Sequence, residues 1–178
     1  QPAGYVKKGD RKEGNKPNPD GDASASASKD LPEGAYAKAG GPIPSDALEA
    51  TVVRRYKESY MHDRAVFQSP SGNIKCAVDA SFAGCGIPSY RDTKPYGYSK
   101  TVGANWWVDF KNWKLMPRDD VPPYTPDDGG SEIEDVPYGK TIYFGDHVCH
   151  SEYNGMTCWN AKTGKGAFMS ISKTEFFG

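Results

Sequence analysis

Long apolar runs are missing from this 178-residue chain. The longest is only a few residues, against the roughly 20 that a membrane-spanning helix needs, so any membrane attachment has to be indirect. An excess of one charge is missing too. Lys and Arg number 22 and Asp and Glu 23, a net charge of -1, and without a basic footprint nucleic acid is not an expected partner. There is no Gly-x-Ser-x-Gly elbow and no glycine-rich phosphate loop. The histidines are His62, His147 and His150, and the last two stand three apart on a strand, which sends them to opposite faces and removes a simple two-histidine metal grip. Paired carboxylates occur only in one acidic loop, where no general acid or base would be held within reach of a target. The expectation is a non-enzyme with no catalytic residues, no metal and no cofactor. Gln1 in place of an initiator Met, together with an even cysteine count, leads us to expect the mature part of an exported protein.

What is present is a frame for two cysteine pairs of C-x8-C spacing, Cys76 with Cys85 and Cys149 with Cys158. The second pair sits in the clearest hairpin signal: a strand from Lys140 to Cys149, the turn signal Asn154-Gly155 and a return through Met156 to Trp159. A two-residue turn at Asn154-Gly155 would set Cys149 opposite Asn160. A four-residue loop, Glu152 to Gly155, with Gly155 in the left-handed position, sets Cys149 opposite Cys158, and a disulfide selects that register. Alternation puts Ile74, Cys76 and Val78 on one face. It puts Cys149 with Tyr143 and His147, and Ile142, Phe144 and Val148 opposite. The two pairs then fall on different sides of their sheets, which favours 76–85 and 149–158 among the three connectivities that four cysteines allow.

Residues 1–44 hold Gly, Pro, Ala, Ser, Lys and Asp and almost no large aliphatics, the composition of a flexible or extended tail. It serves as a tether or orders along a partner. The stretch Leu31-Pro-Glu-Gly-Ala35 resembles a sortase signal but lacks its Thr and its C-terminal setting. Residues 45–62 read as a helix, with Asp46 and Glu49 as a capping box and Leu48, Val52, Tyr56 and Tyr60 at four-residue steps on one stripe. That stripe packs on its own domain or is offered to a partner.

Residues 63–178 read as a disulfide-bonded β domain. The aromatics Tyr90, Tyr96, Tyr98, Trp106, Trp107, Phe110 and Trp113 crowd one stretch, with Trp106, Val108 and Phe110 on one face and Trp107 opposite. Core filling is the ordinary use of Trp, and Trp107 is the one expected to be exposed. From Pro117 to Asp135 prolines and acids make a long solvated loop, whose Asp127 to Glu132 run does not match an EF-hand. The last strand is expected from Ala167 to Phe177.

Ser69-Pro-Ser-Gly-Asn-Ile-Lys-Cys76, Tyr138-Gly-Lys140, His147-Val-Cys149, Asn154-Gly-Met-Thr-Cys158-Trp-Asn160 and Thr163-Gly-Lys-Gly166 together resemble a family of small exported actinobacterial cell-envelope domains of unknown function. The resemblance covers about residues 66–178. Ala167 separates the last Gly from Phe168, where the family pattern joins them. The resemblance implies a disulfide-bonded β domain at the cell envelope and supplies no reaction.

The fold expected is mainly β, a small disulfide-stapled sandwich or partly open barrel with one N-terminal helix and a long tail. The function expected is an extracytoplasmic accessory protein that docks on a larger membrane or envelope complex through tail and helix, using Leu48, Val52, Tyr56 and Tyr60. The second reading is a cell-wall glycan-binding module built on Trp106, Trp107, Tyr96 and Tyr98. Haem held by a Tyr or His is a third.

Overall fold

The computed structural model describes residues 30–57, 60–118 and 133–178, with the backbone alone for 53–57 and 60–62. It is a mainly β protein of two sheets that do not close into a barrel. The first sheet runs in the order β1 (Leu48–Glu49), β10 (Thr141–Phe144), β11 (His147–Glu152), β12 (Gly155–Asn160), β13 (Gly166–Met169) and β14 (Thr174–Phe177). The second runs β2 (Val52–Lys57), β3 (Tyr60–Gln68), β4 (Lys75–Val78), β5 (Ala83–Gly86), β7 (Gly103–Asp109) and β6 (Tyr98–Ser99). On it β8 (Lys114–Pro117) pairs with β7 and β9 (Glu134–Asp135) with β3. Helix α1 (Ser89–Thr93) ties the sheets together, because its buried Tyr90 donates its hydroxyl to the Ser170 carbonyl at 2.8 Å.

The expected N-terminal helix is not formed. Leu48 lies in β1, Val52 and Tyr56 in β2 and Tyr60 in β3. Steps of four are also even steps, so the stripe that fits a helix fits a strand equally well, and the β-branched run Thr51-Val52-Val53 favours the strand. Two other strands divide. The stretch Lys140–Cys149 turns at Gly145-Asp146, so that β10 pairs with β11, and the last strand turns between Met169 and Thr174.

Both disulfides form, Cys76–Cys85 and Cys149–Cys158. Each joins directly opposed residues of adjacent strands, β4 with β5 and β11 with β12. The pairing is the one expected, but its argument is corrected. The unforeseen turn at Gly145 sets Ile142 opposite Cys149, so these two share a face, and both disulfides point into the interior between the sheets. There the four sulfurs lie within 4.8 Å of one another, with the Met156 sulfur 3.9 Å from Cys76 Sγ. Around them pack Phe67, Val78, Val108, Ile142 and Met169, all buried.

The outer face of the first sheet is covered by residues that composition assigned to the tail. Trp159 donates its indole N–H to the Gly41 carbonyl at 2.8 Å, the Tyr36 amide donates to Thr157 Oγ1 at 3.0 Å, and Asn154 donates to the Gly34 carbonyl at 3.1 Å. Tyr36 and Ala39 are buried against Val148, Trp159 and Phe177. The extended tail as expected therefore lies outside the described residues up to 29, while residues 30–44 belong to the folded unit. No helix among the described residues is long and apolar enough to cross a membrane.

The register expected at the β11–β12 hairpin holds, with a tighter loop. Glu152 pairs with Gly155 around a two-residue turn, Tyr153-Asn154. Gly155 has φ +154°, and a Cβ on it would run into the Met169 carbonyl oxygen and the Phe168 ring. Close approach is therefore the main reason that only glycine fits.

Two outcomes follow from this geometry. Cys149→Ser and Cys158→Ser should each destabilise the domain by about 2 to 3 kcal/mol, and the double variant little further, since both remove one bridge of short loop length. Urea unfolding of the three variants checks it, and additive losses would refute a single shared bridge. Gly155→Val should cost about 1 to 3 kcal/mol by crowding the β13 backbone; an unchanged melting temperature would show that β13 yields freely there.

Candidate functional site

The residues offered as a docking stripe gather on one device, the β2–β3 hairpin. Its register runs Val52↔Ala65, Val53↔Arg64, Arg54↔Asp63, Arg55↔His62, Tyr56↔Met61 and Lys57↔Tyr60. The next strand, β4, pairs with β3 only from Ala65 to Gln68. Among the described residues, Val53–Lys57 and Tyr60–Arg64 thus continue past the sheet as a two-stranded ribbon. Among the described residues its outer strand, β2, pairs with β3 alone. Val52 at the base is exposed, as is Leu48 on the short edge strand β1. The ribbon carries Tyr56, Met61 and Tyr60 among Arg54, Arg55 and Lys57.

The aromatic quartet proposed for a ligand does not form one surface. Trp107 is 0 % exposed and Trp106 2 %, so the expectation that Trp107 reaches solvent is corrected. Val108 lies opposite Cys85 on the interior face, and a register shift between Asn105 and Trp107 interrupts the alternation at Trp106. The opposite face is nevertheless covered. Trp107 lies over Gly84, where a Cβ would collide with its ring, and Phe82 packs 5.2 Å from it with the Arg118 guanidinium over both rings. Tyr96 is spent on the fold, its hydroxyl accepting from the Thr174 amide at 2.7 Å. Tyr98 is 57 % exposed, with Lys94 over its ring at 4.6 Å. It lines a basic cleft with Arg91, Lys100 and Trp106, and Arg91 stacks on Trp106 at 4.6 Å.

The two described imidazoles stand on opposite faces of β11, as their spacing requires. His147 stacks near Phe110, and His150 lies 3.6 Å from the Tyr36 ring under the covering segment. His62 lies where no side chain is described. His150 Nδ1 shares a 2.7 Å hydrogen bond with Thr141 Oγ1. Its Nε2 is 3.8 Å from Glu152 Oε1, too long for a hydrogen bond. Burial, helped by the Lys38 cation, pulls the imidazole down to about 3. Burial likewise pushes the Tyr36 phenol up to about 12, so it stays protonated. This buried set holds the covering segment against the sheet, so it reads as structural. The four cysteines are the only His/Cys/Asp/Glu group among the described residues close enough to share an ion, and with both bridges formed they offer no thiolate ligand. The acidic run Asp127 to Glu132 lies outside the described residues.

No family model, curated protein or solved structure matches the chain. The covering role of Tyr36 and the projecting ribbon were both missed by sequence reasoning. The even spacing of Leu48, Val52, Tyr56 and Tyr60 beside β-branched residues was the available signal for the second. No local signal marked the first.

The His150 site sets a pH dependence. Below about 6.5 the unfolded chain takes up a proton that the folded state refuses until about 3, so stability is full above 6.5 and falls as pH drops through that window. Between pH 7.5 and pH 5 the wild type should lose about 2 kcal/mol more than His150→Gln. Urea midpoints of both proteins at the two pH values measure it; parallel losses would refute the role of His150.

Proposed function

We propose that this chain is a non-enzymatic, extracytoplasmic accessory protein that docks on a larger envelope or membrane-embedded assembly, of the kind that carries out respiration or cell-wall synthesis. The observation that supports this most is the β2–β3 ribbon outrunning its sheet. A two-stranded hairpin is marginal in water by itself, and it gains most when a second surface receives it. Its outer strand has backbone N–H and C=O groups on the side away from β3, the arrangement that accepts an added strand from a partner. Arg54, Arg55 and Lys57 discourage chance pairing along that edge and select an acidic or polar partner over an apolar one.

The docking residues remain Leu48, Val52, Tyr56 and Tyr60, now as strand residues. Two disulfides suit an oxidising compartment, and the resemblance of residues 66–178 to exported envelope domains points the same way. Residues 1–29 then act as the tether or as a second contact, and residues 30–44 serve the fold.

Site-specific photo-crosslinking distinguishes this reading from a free-standing domain. A photoreactive residue replacing Tyr56 should give one discrete adduct with detergent-solubilised native envelope membranes, competed away by excess unlabelled chain. The same residue replacing the exposed Lys162 should give none. Absence of an adduct at 56, or equal labelling at both positions, would remove the docking role of the ribbon.

A further inference from the structure

A second site lies at one end of the sandwich, where β5 and the β7–β8 turn of one sheet meet β11 and β12 of the other. These elements enclose a cleft of about 590 Å³, within the usual size of small-ligand sites. One wall is aromatic. Trp113 stacks on Phe110 with ring centroids 4.7 Å apart and 18° between planes, and His147 continues the stack 5.7 Å beyond. Trp113 is half-buried and has φ +50°, one of two non-glycine residues in the left-handed region among those described. That backbone is disfavoured for a bulky side chain, and residues held in it concentrate at ligand sites.

The polar groups of the cleft are arranged as donors. Asn160 Oδ1 accepts from the Lys162 and Thr163 amides at 2.8 and 3.2 Å, which fixes the side chain and leaves its NH₂ group as the donor. The His147 imidazole, kept neutral by burial, makes no hydrogen bond to the described residues and offers one N–H and one lone pair. The single carboxylate of the lining, Asp79, is already engaged: Arg64 reaches it at 2.8 and 2.9 Å and the Ser81 amide at 2.8 Å. The charges left over on the rim are therefore Lys111 and Lys165, both exposed and both positive.

A flat aromatic face beside fixed donors suits a sugar ring, whose C–H groups meet the negative π face while its hydroxyls take the hydrogen bonds. Two lysines with no uncompensated acid suit a carboxylate. We propose that this cleft binds a carboxylate-bearing sugar unit of a polysaccharide, with the ring against Trp113, hydroxyls toward His147 and Asn160, and the carboxylate toward Lys111 and Lys165. The ribbon adjoins the cleft at its base, through Arg64 on Asp79, but none of the residues assigned to the sugar lies on the ribbon, so the two readings can fail separately.

The test is an NMR titration of the full-length chain with a glucuronic-acid disaccharide, and in parallel with a neutral glucose disaccharide. The acidic disaccharide should shift the Trp113 indole and His147 imidazole resonances saturably, and added salt should weaken it. The neutral sugar should bind roughly tenfold more weakly, the worth of about one charged contact. Trp113→Asn keeps a residue that tolerates the left-handed backbone while removing the platform, and should weaken both sugars. Lys111→Ala with Lys165→Ala leaves the core untouched and should bring the acidic sugar to the affinity of the neutral one. The proposal is overturned if the acidic disaccharide gives no saturable shift, if the shifts centre on Tyr98 instead, or if the lysine pair leaves the preference for acid unchanged.

Discussion

The contact between the two disulfides at the centre of the interior is the constraint on which the other features rest. Neither bridge crosses between the sheets; each fixes the register of one strand pair within its own sheet. The sheets then meet where the four sulfurs and Met156 come together. Sulfur suits that position because it is polarizable, fills volume and asks for no hydrogen bond. Register errors are also severe here, since a slip of one residue in either hairpin would turn its cystine out of the interior.

A sheet has two faces, and only one of each is used at that contact. The other face of the first sheet carries Thr157, His150 and Trp159, polar and aromatic groups that cannot be left dry and unpaired. The chain solves this with residues 30–44, whose small side chains let the backbone come close enough to accept the Trp159 N–H and to donate to Thr157. The other face of the second sheet is closed by Phe82 and Arg118 over Trp107. Among the described residues, the ribbon that outruns the sheet and the clefts at the ends lie away from these covered patches. This is why the functional readings fall on β2–β3 and on the cleft at Trp113 and not on the broad sheet surfaces.

The fold class, the two bridges and the hairpin register before Met156 were legible in the sequence because each depends on neighbours. A C-x8-C spacing around a turn signal leaves few registers, and alternation within one strand identifies which residues share a face. The same alternation misled wherever an unrecognised turn intervened: the two-residue turn at Gly145-Asp146 reversed the relation of Ile142 to Cys149, so correct pairing was reached from an incorrect face. Leu48, Val52, Tyr56 and Tyr60 were misread for a related reason, because a spacing of four satisfies both helix and strand.

By itself, then, the sequence determined local matters: the strand-forming stretches of the β domain, the cystine register and the glycine before Met156, all set by contacts within about ten residues of each other. Tertiary structure alone decided which faces are covered. Trp107 was expected in solvent and is buried, and residues 30–44 were expected as tether and are packed, because burial depends on what arrives from far along the chain. The segment that covers Trp159 lies 118 residues away from it at Gly41. A polar, small-residue stretch cannot build a core of its own, but it can complete one that another part of the chain has left open, and composition cannot distinguish the two cases.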